Sequence, residues 1–213
     1  MLKLPLFTFL IGPPGCGKTK LCELLCENDP YLAHCSFDEI IRETVLSTFY
    51  PDQMHQGIDL REEDILSQNL PFTSISIGNF MARYRALLRD LSPSLIGDLA
   101  KKRVSYTLGS YTFQRAIFDD LASPFDLKPF VLSFGQRNCR LIFIDRGPSY
   151  NLKPSLLLFE NTFIPKTILK NPEGRPEGML LQLASILGKD NFDPTTEPEA
   201  EPEAEPKTNL EDL

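Results

Sequence analysis

No apolar run in this 213-residue chain is long enough to cross a membrane; the longest, residues 4–11, falls far short of the roughly 20 needed. That run also lacks a small-residue cleavage site and leads straight into a glycine-rich turn, so it is expected to be a core strand, not a leader. Cysteines are few and odd in number, five in all, which suggests free thiols in a reducing compartment and a cytoplasmic location. Cys22 and Cys26 stand four apart on a helical pattern with His34 and Cys35 close in sequence, but no second pair recurs at zinc spacing. Buried thiols are the expectation there. A strong excess of either charge is missing as well. The net charge is −7, but nine of the 29 acids and only one of the 22 bases fall in residues 190–213, leaving 21 bases against 20 acids in residues 1–189. The body is therefore close to neutral, which neither argues for a polyanionic partner nor excludes one.

Residues 190–213 contain EPEAEPEAEP, with alternating proline and charge and almost nothing apolar to offset the entropy of ordering. A disordered acidic tail able to meet a protein partner is expected there, after one principal domain over residues 1–189. Within that domain, the strand pattern at 4–11 is followed by a helical pattern at 19–26, an apolar run at 32–37 and a helical stripe opening at Asp38. Strand, helix, strand and helix within fifty residues predict a parallel sheet. The middle, about 59–111, reads as mainly helical. Two apolar runs that end in acids, 115–120 and 140–145, read as core strands flanking a helix at 127–134, and final helices are expected at 155–163 and 178–187.

The sharpest motif is Gly12-Pro13-Pro14-Gly15-Cys16-Gly17-Lys18-Thr19, which fits G-x-x-x-x-G-K-[ST] between a predicted strand and a predicted helix. Its glycines let the backbone turn N–H groups inward as a nest for anions, in front of a helix N-terminus that favours negative charge. Lys18 would reach the β- and γ-phosphates of a nucleotide, and the Thr19 hydroxyl would ligate Mg²⁺. Cys16 would border the nest. The fold class expected from this is α/β, a P-loop NTPase three-layer sandwich with a mainly parallel sheet, a helical insertion and the acidic tail. Asp119-Asp120 resembles the strand-end acids of larger ATPases, but the sensor, arginine finger and helical lid of an AAA+ motor do not follow, and no NKxD-type guanine motif is present. A small kinase plan remains.

Several short stretches carry a closer resemblance: Ser36-Phe37-Asp38-Glu39-Ile40-Ile41-Arg42-Glu43, Ile117-Phe118-Asp119-Asp120, Leu141-Ile142-Phe143-Ile144-Asp145 and Leu169-Lys170-Asn171-Pro172-Glu173-Gly174-Arg175-Pro176. Together with the phosphate loop they are similar to the L-seryl-tRNA kinases and the related Elongator-associated ATPases. The resemblance implies transfer of the γ-phosphoryl of ATP, with Mg²⁺, to a hydroxyl acceptor such as seryl-tRNA, with Arg175 as a lid cation. A nucleoside or small-metabolite kinase and a nucleotide-dependent regulatory ATPase stay open beside it.

Asp38 falls twenty residues after Lys18 at the predicted end of the second strand, where ligands collect in open α/β sheets. A carboxylate there can orient and deprotonate a hydroxyl, and it can equally cap the helix it opens. Asp119 and Asp120 would face the metal. Arg83, Arg85, Arg89, Lys101, Lys102 and Arg103 bias the helical middle towards basic charge, suited to a solvated face or to phosphate contacts.

Overall fold

The structure is a computed structural model that describes residues 4–49, 77–109, 112–147, 153–171 and 174–190. The acidic tail beyond 190, the stretch 59–76 of the helical middle, and Pro172 and Glu173 lie outside these residues. The elements are β1 (Phe7–Ile11), α1 (Lys18–Asn28), β2 (Leu32–Ser36), α2 (Phe37–Phe49), α3 (Ile77–Leu91), α4 (Leu95–Gly109), β3 (Arg115–Asp119), α5 (Lys128–Phe134), β4 (Cys139–Asp145), α6 (Lys153–Glu160), β5 (Lys166–Lys170) and α7 (Pro176–Asp190). A 3₁₀ turn, Pro124–Leu127, leads into α5 and a second, Gln136–Asn138, leaves it.

The strands form one five-stranded sheet in the order β2-β3-β1-β4-β5, and every neighbouring pair is parallel. This is the α/β sandwich expected from the strand and helix alternation. Because side chains alternate across a strand, each strand feeds two cores. Phe7, Phe9 and Ile11 of β1, Phe118 of β3 and Phe143 of β4 face one layer, where Phe37 and Ile41 of α2, Val104 of α4 and Phe130 of α5 close over them. Leu10, Ile117, Ile142 and Ile144 face the other, covered by Leu21, Cys22 and Leu25 of α1 and Met179, Leu183 and Leu187 of α7. Burial on both faces explains why β1 reads as unbroken apolar sequence: all five of its residues are buried. The first layer is cemented by rings, with Phe9 stacked on Phe118 at 5.1 Å and Phe130 edge-on to Phe7 and Phe118 at 5.1 Å each.

Two elements depart from the sequence reading. β5 was not anticipated, because KTILK puts lysines at both ends and buries only Thr167 and Leu169. It is an edge strand, and its charged rim and alternating burial suit an edge. Its backbone is gripped by α7: Lys170 N donates to Gln182 Oε1 at 2.9 Å, and Gln182 Nε2 donates to Lys170 O at 2.8 Å. The segment likened to a lid therefore begins as sheet. The second departure is the start of α2, where Ser36 and not Asp38 supplies the cap: Glu39 N donates to Ser36 Oγ at 3.4 Å, and Asp38 lies within the first turn.

Helix α4 approaches the Pro124–Leu127 turn so closely that a Cβ on Gly97 would stand 2.2 Å from the carbonyl oxygen of Asp126. Backbone cannot yield as a side-chain tip can. Gly97→Ala is expected to destabilise the fold by about 1–3 kcal/mol through overpacking, despite alanine's better helix propensity, and denaturant unfolding would read the change.

Candidate functional site

The chain crosses from β3, on one side of β1, to β4 on the other, which makes the carboxyl end of β1 the switch point of the sheet. The glycine-rich loop leaves the sheet at this point and enters α1. Gly12 (φ 156°) passes so near its surroundings that a Cβ would be 2.6 Å from Cys16 Sγ and 2.8 Å from Ile144 O. Gly17 takes the left-handed conformation, φ 98°, as the N-cap of α1, with no side chain capping the helix and no acid in its first turn. The first N–H groups of the helix thus point out of α1 unmasked, beside an open loop surface at Gly15, where an added Cβ would meet nothing within 4 Å. Lys18 Nζ folds back across this loop and donates to Gly12 O at 3.2 Å and Pro13 O at 3.4 Å. The arrangement concentrates positive potential in a cradle of backbone dimensions, suited to a polyphosphate.

Asn171, buried just beyond β5, ties the cradle to the sheet. Its backbone N donates to Asp145 O at 2.8 Å and its Nδ2 to Cys16 O at 3.0 Å, while its own carbonyl accepts from Arg146 Nη1 at 3.3 Å. Neither the role of Asn171 nor that of Arg146 was foreseen. Nothing in a single sequence marks an amide that works by reaching 155 positions back along the chain.

The acids at the end of β3 are brought to the loop, and they part company there. Thr19 Oγ1 donates to Asp119 Oδ2 at 2.9 Å, and His34 Nε2 on β2 stands 3.3 Å from the same oxygen. Asp120 turns away in the left-handed region, φ 59°, unusual for a residue with a side chain, and its Oδ2 accepts from Ser36 Oγ at 3.4 Å. Burial pushes both carboxyls up. At Asp119 the hydrogen bonds from His34 and Thr19 more than offset that and hold it below the ordinary carboxylate range, whereas Asp120, repelled in addition by Asp119, stays above it. Two adjacent aspartates thus have opposite bias, the pattern that separates an ionised ligand from a group able to hold a proton.

His34 is raised above its ordinary 6.5, first by its hydrogen bond to Asp119, against the pull of burial. A base raised on folding stabilises the protein below its unfolded value and loses that contribution as pH rises through the folded one. Asp119 has the opposite sign, its contribution fading as acid takes pH down through its lowered value. In EDTA, stability is therefore expected to decline as pH rises above about 6.5, and His34→Gln should flatten that slope; chemical denaturation as a function of pH measures it.

Asp38 forms an ion pair with Arg85 of α3, beside the ends of β2 and β3. Other bases of the helical middle are also engaged: Arg89 with Asp126 at 3.1 Å, Arg103 with Glu43 at 3.0 Å and Lys101 with Asp98 at 4.0 Å. Much of the positive face read from the sequence is thereby matched by acids. Arg175 is exposed in the turn before α7, next to Gly174, whose φ of 73° lets the chain pass the guanidinium of Arg146.

The oxygen donors Thr19 and Asp119 suit a hard divalent cation such as Mg²⁺. Asp119 Oδ1 is buried with no hydrogen-bond partner among the described residues, an oxygen that a hydrated cation would satisfy. The cradle and this oxygen together fit a magnesium–nucleotide.

No protein-family model matches the chain, and no curated protein matches it. Among solved structures it is similar to a gluconokinase from Sinorhizobium meliloti 1021, with 14% identity, a TM-score of 0.42, and coverage of 87% of this chain and 93% of that one. It is similar also to TT1252 from Thermus thermophilus, at 12% identity and a TM-score of 0.41 over 88% of this chain and 98% of that one. A third is a structure of the PezAT chromosomal toxin–antitoxin system of Streptococcus pneumoniae, at 11% identity and a TM-score of 0.42 over 90% and 88% of the two chains. At such identities the likeness says nothing of substrate.

Proposed function

We propose that this chain is a P-loop phosphotransferase that moves the γ-phosphoryl group of ATP to a hydroxyl acceptor. The observation that carries the reading is the 2.9 Å hydrogen bond from Thr19 to Asp119, which joins the phosphate loop to a strand-end acid 100 positions away. In this reading Gly12, Pro13, Pro14, Gly15, Cys16, Gly17, Lys18 and Thr19 cradle the phosphates through their backbone, and Lys18 leaves the loop carbonyls to meet the β- and γ-phosphates. Thr19 and Asp119 would hold Mg²⁺, with Asp120 beside them. Bound there, the ion neutralises the charge of the phosphates and orients them.

The acceptor enters from the β2 and β3 side. Asp38, released from Arg85, orients and deprotonates its hydroxyl, while Arg85 and the lid cation Arg175 compensate the negative charge that crosses between the two substrates. Phosphoryl transfer is mostly positioning and charge neutralisation, so these few groups suffice. Seryl-tRNA is the acceptor suggested by the likeness in the sequence, and a polar metabolite is its rival.

The test is a panel of acceptors incubated with the full chain, Mg²⁺ and γ-labelled ATP. Label arriving on seryl-tRNA or on a small hydroxyl compound supports the transferase. Release of free phosphate alone, with no acceptor labelled, would replace it with a regulatory ATPase. Absence of any nucleotide affinity would remove both.

A further inference from the structure

Beside Asp119, whose Oδ2 already accepts from Thr19 at 2.9 Å, stand a thiol and an imidazole. Cys22 Sγ, His34 Nε2 and an Asp119 oxygen all lie within 4.8 Å of one another. Cys22 is fully buried, Asp119 is 1% exposed, and His34 lies on the open side. His34 and Asp119 are already in contact at 3.3 Å. Tetrahedral zinc, with bonds of about 2.0–2.3 Å, needs its ligands roughly 3.3–3.8 Å apart, so Cys22 has to close by no more than about one ångström. The second carboxylate oxygen, Asp119 Oδ1, is buried without a hydrogen-bond partner among the described residues.

From this cluster we propose a second, regulatory metal site that takes a borderline transition ion, Zn²⁺ above all, on Cys22, His34 and Asp119. The donor set decides the class. A thiolate and an imidazole favour zinc and disfavour Mg²⁺, which takes oxygen ligands. One of the three ligands is within reach of solvent: His34 lines an open groove of about 390 Å³, together with Cys26, Cys35 and Glu39. On binding, the Cys22 thiol gives its proton to solvent and the sulfur becomes a ligand. Water completes the shell.

The consequence follows from the shared carboxylate. An ion held from the His34 side neutralises Asp119 and draws its Oδ2 away from Thr19, so zinc and magnesium–nucleotide oppose each other. This inhibitory consequence rests on the phosphotransferase reading; the zinc site itself does not.

The experiment has two readouts. Zinc affinity of the full chain, measured by competition with a chromogenic chelator, is expected to show one tight ion per chain, and Co²⁺ in its place is expected to give a thiolate charge-transfer band. Cys22→Ala and His34→Gln should each weaken zinc at least about tenfold, since even loss of an outer partner of a metal ligand costs that much. His34 is exposed, so His34→Gln keeps the test decisive should the core variant fail to fold. Binding of a fluorescent ATP analogue with Mg²⁺ should fall as zinc is added to the natural protein and resist zinc in Cys22→Ala. Zinc affinity unchanged in His34→Gln and in folded Cys22→Ala, or a cobalt complex without a thiolate band, overturns the proposal. A protein that binds zinc as described but no nucleotide under zinc-free conditions would count against the phosphotransferase alone.

Discussion

Lys18→Ala is expected to lower ATP turnover by about 10²–10³-fold, the usual cost of deleting one preorganised donor aimed at developing charge. The melting temperature should barely move. Lys18 is only half-buried, and its ammonium rests on the carbonyls of Gly12 and Pro13 and 4.0 Å from the sulfur of Cys16, all within the loop, with Cys16 its one recorded neighbour in the apolar cores among the described residues. Nucleotide affinity by titration, followed beside thermal unfolding, separates the two effects. Wild-type affinity and turnover in the variant would refute the phosphate-loop reading, whereas a large fall in melting temperature would show that the lysine braces the loop.

How much of this was written in the sequence depends on how local each feature is. The glycine-rich loop between β1 and α1 was legible because its glycines, lysine and threonine are contiguous and the strand before it is buried on both faces. The proximity of Thr19 to the acids of β3 was also legible, since a hydroxyl expected to meet a metal calls for a partner at a strand end, though the sequence treated Asp119 and Asp120 alike. Only the backbone distinguishes them: the left-handed turn at Asp120 sends its side chain to Ser36. Asn171, Arg146 and the Arg85–Asp38 pair escaped notice for a common reason. Each acts through a contact between segments far apart in the chain, and no periodicity or spacing encodes such a contact. Gly97 escaped because the need for glycine there is set by the backbone of a different element, at Asp126. Strand β5 was missed because an edge strand needs only one alternating stripe, here two residues deep.

Asp38→Asn discriminates most sharply among the chemical roles. With Ser36 as the cap of α2, the change removes no capping oxygen. It does remove a charge from the first helical turn, worth about 0.3–1 kcal/mol, and weakens the ion pair with Arg85. Asp38's side chain is 57% exposed, so that pair contributes no more than about 1 kcal/mol. The expected variant is therefore folded, binds ATP with near-native affinity because Asp38 is no part of the phosphate cradle, and transfers phosphoryl groups 10²–10⁴-fold more slowly, the range for loss of a general base. Quenched-flow transfer to the best acceptor of the panel, set beside ATP titration, measures both. If transfer survives intact, the carboxylate that receives the acceptor's proton has to be Asp120, whose raised affinity for a proton and hydrogen bond to Ser36 place it next in line. Asp120→Asn would then carry the loss that Asp38→Asn failed to show. If ATP affinity collapses along with transfer, Asp38 acts on the nucleotide instead, and the acceptor has to be sought away from α2 and the Arg85 side of the sheet.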